Sequence, residues 1–76
     1  MLRDDRKKVI AICLDLQELL QKTYRNMDGS NGRSMPIYRG EAMAYKLAIQ
    51  KLIEEFDISR MELSDARKKR EERNVN

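Results

Sequence analysis

An apolar stripe between residues 38 and 56 constrains the fold of this chain more than any other feature of the sequence. The stripe repeats at steps of three and four residues and consists of Tyr38, Ala42, Tyr45, Ile49, Leu52, Ile53 and Phe56. This spacing places all of these residues on one face of an α-helix. A helix with one apolar face needs a partner that covers it, and the rest of the chain must supply that partner.

A second amphipathic helix is predicted upstream, over about residues 3 to 27, because this stretch contains good helix formers and no glycine or proline. Its apolar face consists of Val9, Ile12, Cys13, Leu16, Leu19, Leu20, Thr23 and Met27. The turn-forming residues that follow predict a chain reversal through a loop over about residues 28 to 35. Pro36 suits the first turn of the next helix, which is predicted over about residues 36 to 57.

The C-terminal part is predicted to be a charged helix, and the pattern is compatible with two forms. Ser59 and Glu62 have the spacing of a capping box, and Ile58 and Leu63 have that of a hydrophobic staple, which favours a separate helix over about residues 59–73. The alternative is one unbroken helix from the apolar stripe onward. The stretch ELSDARKKREERN contains only two apolar residues, so we expect this segment to bury little.

These patterns predict one all-α domain: an antiparallel helical hairpin with a charged C-terminal helical extension. With 76 residues, a single copy lies near the lower size limit for a stable core without disulfides or metal. Ile10 and Leu14 on the first helix, and Met43 and Leu47 on the second, lie outside the main apolar stripes. We therefore expect a homo-oligomer, most simply a dimer that forms a four-helix bundle.

The predicted protein interface combines these extra apolar residues with a strip of small ones. It consists of Ile10, Leu14, Gly40, Met43, Ala44, Leu47 and Ala48. The small residues recur every four positions, so they would let another helix backbone approach closely. Gly40 costs about 1 kcal/mol relative to alanine inside a helix. Two explanations remain open, a close contact at Gly40 or a frayed first turn in which glycine costs nothing.

A basic run at Arg67, Lys68, Lys69 and Arg70 gives an alternative function, the binding of nucleic acid. Acidic residues flank this run closely, a mixture that is typical of a solvated helix stabilised by its own ion pairs. The run also contains no aromatic residues on which bases could stack. The sequence therefore favours a solvated helix over a nucleic-acid contact.

No pattern indicates catalysis, a cofactor or a metal site, so the chain is predicted not to be an enzyme. Glu54 and Glu55 are adjacent and diverge by about 100° on a helix, which is poor geometry for a cooperating acid and base. The chain has no histidine, and its single cysteine, Cys13, lies between apolar residues and is predicted to be a buried hydrophobe. A weaker hypothesis is a small-ligand sponge at a protomer interface, lined by tyrosines and basic side chains.

The sequence also predicts where the protein acts. The charged start MLRDDRKK is not followed by an apolar run of the length that a signal peptide or a membrane span needs. A lone buried cysteine is typical of a reducing compartment. These features predict a cytoplasmic protein with no membrane partner.

One block of sequence carries a resemblance. Tyr38-Arg39-Gly40-Glu41-Ala42-Met43-Ala44-Tyr45, followed by Leu52-Ile53-Glu54-Glu55-Phe56, resembles the second hairpin helix of small helical accessory proteins encoded by phages and prophages. The resemblance covers about a quarter of the chain. It implies an accessory protein that works by binding to itself, to a host protein or to a signalling ligand.

Overall fold

The computed structural model describes residues 3–29 and 32–74, and helices account for most of them. The helices are α1 (Arg3–Gly29), α2 (Met35–Phe56) and α3 (Arg60–Asn74). No strand occurs within the described ranges. The predicted all-α fold is therefore confirmed.

The connection between α1 and α2 is shorter than the sequence indicates. α1 continues to Gly29, two residues beyond its expected end, while Ser30 and Asn31 of the predicted loop lie outside the described residues. Ser34 occupies the N-cap position of α2 but makes no side-chain hydrogen bond there. Pro36 lies in the first turn, where an N–H would have no partner within the helix.

α1 and α2 form an antiparallel hairpin. Residues near the start of α1, including Val9 and Ile10, share one apolar cluster with Ile53 and Phe56 from the end of α2. The buried apolar side chains of the described residues are Cys13, Leu14, Ala42, Ile49, Ile58 and Leu63. Half-buried neighbours extend this core, which remains small for a chain of this length.

The helical conformation is interrupted between α2 and α3. Asp57 adopts the left-handed conformation with φ of 49°, and the N–H of Ile58 donates a hydrogen bond of 3.0 Å to the carbonyl oxygen of Ile53. Ser59 and Glu62 then form the reciprocal capping box. The N–H of Ser59 donates to Glu62 Oε2 at 3.1 Å, and the N–H of Glu62 donates to Ser59 Oγ at 3.1 Å. Of the two forms that the sequence left open, the structure has the separate third helix.

α3 folds back onto α1 instead of extending into solvent. Ile58 and Leu63, the two ends of the hydrophobic staple, lie in one buried cluster with Cys13 and Leu14. Ala66 packs against the same cluster. Most side chains of α3 are nevertheless exposed, as expected. The sequence pattern does not predict that the few buried ones dock the helix on α1.

Candidate interaction surface

The surface of α2 that faces away from α1 is exposed; it is apolar over residues 37–47 and charged beyond them, at Lys51, Glu54 and Glu55. We define this outer face by Ile37, Gly40, Met43, Ala44 and Leu47, which share an arc of about 120° at 100° per residue. The buried residues of α2 lie on the opposite side of the helix. Ile37, Met43 and Leu47 are 64%, 65% and 60% exposed, respectively. The described part of the chain thus leaves three large apolar side chains of one helix face uncovered.

Gly40 lies at the middle of this outer face and has no packing role within the chain. A Cβ atom added at Gly40 would meet nothing within 4 Å. Gly40 is the sixth residue of α2, so it lies beyond the first helical turn, and the explanation by a frayed first turn does not hold. Glycine therefore costs the helix about 1 kcal/mol at a position where no packing contact with the described residues requires it.

Charge is distributed unevenly along α2. The half that spans residues 35–46 contains two cations and one anion, whereas residues 47–56 contain one cation and two anions, and the acidic Asp57 follows as the C-cap. The helix dipole adds partial positive charge at the start and partial negative charge at the end. α2 is therefore basic near its N-terminus and acidic near its C-terminus.

Two predicted interface residues on α1 are covered by α3. Leu14 is 4% exposed, so its prediction as an interface residue is wrong. Ile10 is half-buried and packs against the cluster that contains Leu14. Both were predicted to be uncovered because the hairpin alone does not cover them, whereas the docked α3 does. Of the remaining predicted residues, Ala48 is half-buried at the edge of the outer face.

Arg6, which no sequence pattern singles out, connects α1 to the end of α2 and the start of α3. Arg6 Nη2 donates to the Glu62 carboxylate at 2.7 and 2.9 Å, Nη1 donates to the Phe56 carbonyl at 2.8 Å, and Nη2 also reaches the Asp57 carbonyl at 3.0 Å. A planar guanidinium suits such a set of acceptors. The hydrogen bond from Arg6, together with that from the Ser59 N–H, lowers the pKa of Glu62.

The only signal for this contact in the sequence was indirect. The capping box predicts that Glu62 is a fixed carboxylate at the start of α3, and an antiparallel hairpin places Arg6 near the end of α2. The groups that neutralise Arg6 are the capping carboxylate and the carbonyl oxygens at the end of α2.

The basic run of α3 is partly engaged by α1. Arg70 Nη1 lies 2.8 Å from Asp15 and 3.1 Å from Glu18, and these hydrogen bonds and charges raise the pKa of Arg70. Arg67 donates a hydrogen bond to Gln17. Two of the four predicted nucleic-acid contacts therefore hold α3 against α1.

The other two residues of the basic run, Lys68 and Lys69, are exposed. Lys69 lines an open groove of about 500 Å³ between α1 and α3, together with Lys7 and Arg73. The same groove is also lined by Asp65 and by several apolar side chains. Its mixed lining lacks the aromatic platforms that single-stranded nucleic acid uses.

Cys13 and Tyr24 occupy contrasting environments. Cys13 is fully buried, as predicted, and burial raises the pKa of its thiol. Tyr24 is exposed, and Lys46 Nζ lies 5.5 Å from the centre of its ring, a cation–π contact between α1 and α2. The described residues contain no group of three or more His, Cys, Asp or Glu side chains placed to hold a metal ion.

No known protein family, curated protein or solved structure matches this chain. Among the described helices, none combines the length and the apolar character that crossing a membrane requires.

Proposed function

We propose that this protein is a non-enzymatic interaction protein that acts as a homo-oligomer, most simply a dimer, through the outer face of α2. One observation carries the proposal: Ile37, Met43 and Leu47 are exposed together on the side of α2 that faces away from the core. Contiguous apolar surface of this kind is typical of protein contact sites. A matching helix from a second copy would cover it.

The size of the core supports the same proposal. A chain of 76 residues buries a smaller fraction of its surface than a larger domain does, and such domains commonly gain stability from association. The outer face also contains Gly40, whose open environment suits the approach of another helix backbone. Association would therefore stabilise the fold and give the glycine a packing role.

The target of the proposed oligomer is a host protein, which is what the resemblance to phage and prophage accessory proteins implies. Such a target would bind surface that the dimer leaves open. Ile12, Leu19 and Met61 are exposed apolar residues outside the outer face, on α1 and α3. An adaptor of this kind needs rigid helices and no reactive group.

Nucleic-acid binding is the competing function, and the contacts of the basic run weigh against it. Arg67 and Arg70 would have to leave Gln17, Asp15 and Glu18 before they could contact phosphates. A salt titration of binding to short DNA and RNA duplexes and single strands distinguishes the two functions. Phosphate contacts give affinity that falls steeply with added salt, whereas the proposed interaction protein would show no binding above the non-specific level.

Sedimentation equilibrium at micromolar concentrations tests the proposed self-association. We expect the wild-type protein to be a dimer and Leu47→Glu to be a monomer, because the substitution places a charge in the apolar contact. Met61→Glu is the matched control, since Met61 is 74% exposed on α3 and lies outside the outer face. Circular dichroism should show the same helix content in all three proteins. A monomeric wild type, or a Met61→Glu variant that dissociates as Leu47→Glu does, contradicts the proposal.

A further inference from the structure

We infer that the occupant of the outer face is the α2 helix of a second copy packed antiparallel, with the two-fold axis passing between the levels of Ala44 and Leu47. This inference rests on the proposed self-association and adds the orientation and register of the contact. In this register, the numbers of two residues that face each other across the contact, one from each copy, add up to 91. The size of the side chains, the open space at Gly40 and the distribution of charge favour it independently.

Side-chain size favours the antiparallel orientation. Ala44 of one copy faces Leu47 of the other, and Gly40 faces Lys51, whose aliphatic stem can lie across the open glycine surface. At the centre of the contact, large residues thus meet small ones, as close packing of two helices requires, while Ile37 faces the side chain of Glu54 at its ends. In a parallel pair, Leu47 would face Leu47 while Gly40 faced Gly40, which separates the helices at one level and leaves a gap at the other.

Charge favours the same orientation. The antiparallel register brings Glu54 of one copy within a helical turn of Arg39 of the other, and Lys51 next to Glu41. A parallel pair would place Lys51 against Lys51 and Glu54 against Glu54, which is repulsive. The two helix dipoles also point in opposite directions in the antiparallel pair, which is an attractive arrangement. The basic first half of each α2 therefore lies against the acidic second half of its partner.

Cysteine cross-linking tests the orientation in the 76-residue chain. Gly40→Cys and ¹⁵N-labelled Lys51→Cys are prepared separately, mixed to exchange subunits and treated with a short bis-maleimide. In the inferred register, residue 40 of one copy faces residue 51 of the other, while two copies of residue 40 lie about 16 Å apart along the helix axis, at 1.5 Å per residue. Mass spectrometry distinguishes mixed from like pairs by the isotope label. The wild-type protein is the control for Cys13, which is fully buried.

We expect the mixed cross-link to exceed the two like cross-links by at least tenfold. Ile37→Cys with labelled Glu54→Cys provides a second mixed pair, which keeps the test valid should a side chain at Gly40 disturb the contact. Like cross-links in excess would establish a parallel pair and overturn the inferred orientation while leaving self-association intact. Dimers by sedimentation without any of these cross-links would show that another surface is used. A wild type that remains monomeric would overturn the proposed function itself.

Discussion

At the scale of single residues, Arg6 has the most consequential contacts in the molecule. Its guanidinium contacts the carbonyl oxygens of Phe56 and Asp57 at the end of α2 and the Glu62 carboxylate at the start of α3. An exposed ion pair alone contributes little to stability. The Arg6–Glu62 ion pair is important because of its position, since it joins the end of α2 to the start of α3 and so fixes the angle at which α3 leaves the hairpin.

The Arg6–Glu62 contact predicts a pH dependence of stability. The pKa of Glu62 in the folded protein lies below its ordinary value of 4.5, chiefly because of the hydrogen bond from Arg6. The unfolded chain therefore takes up this proton first, so the contribution is complete above about pH 4.5 and is lost as pH falls through the lowered pKa. Glu62→Gln should reduce stability at neutral pH, and the variant should lose less stability than the wild type as the pH is lowered.

Thermal unfolding followed by circular dichroism between neutral and acidic pH measures this effect. Glu72→Gln is the matched control, because Glu72 is an exposed carboxylate on the same helix. The control should retain the acid-dependent loss of stability seen in the wild type. Equal pH profiles for the wild type and Glu62→Gln would contradict the assigned role of Glu62.

At the scale of helices, the joint between α2 and α3 depends on one left-handed residue. Asp57 has φ of 49°, a conformation that aspartate tolerates and that β-branched residues strongly disfavour. We predict that Asp57→Val lowers the free energy of unfolding by roughly 1–2 kcal/mol. Asp57→Gly, the matched control, should be neutral or slightly stabilising, because glycine adopts this conformation freely. Urea denaturation measures both, and equal effects of the two substitutions would exclude strain as the cause.

The capping box gives a second prediction at this scale. Ser59 Oγ accepts a hydrogen bond from the N–H of Glu62, so Ser59→Ala should cost about 1 kcal/mol of stability. Ser64, an exposed serine in the same helix, is the matched control, and Ser64→Ala should not destabilise the protein because alanine favours helix. Urea denaturation distinguishes them, and equal stability of the two variants would mean that the cap contributes nothing.

Local patterns predicted the helices, whereas the docking of α3 could not be predicted from them. The Ser59–Glu62 spacing and the apolar repeat are short-range signals, and the structure has the corresponding helices. The burial of Leu14 depends on contacts with residues about fifty positions away along the chain, which periodicity does not encode. For the same reason, periodicity correctly identified Met43 and Leu47 as exposed apolar residues on α2, but it wrongly identified Leu14 as exposed on α1.

At the scale of the whole molecule, folding and association are expected to be coupled. The core of one copy is small, since the largest fully buried side chain of the described residues is that of Cys13. The outer face of α2 offers further apolar surface, since Ile37, Met43 and Leu47 are each more than half exposed. A dimer that buries this face would add stability that depends on concentration by mass action.

This coupling predicts that the thermal midpoint of the wild-type protein rises with protein concentration. Each tenfold increase in concentration shifts the association equilibrium by about 1.4 kcal/mol, so the midpoint should rise by several degrees over two decades for a domain of this size. Leu47→Glu should unfold at a lower midpoint that is independent of concentration, because the charge prevents the apolar contact. Met61→Glu should keep the concentration dependence of the wild type, since Met61 lies on α3. A wild-type midpoint that stays constant over this range would show that each copy folds alone, and that the exposed side chains of α2 contribute nothing to its stability.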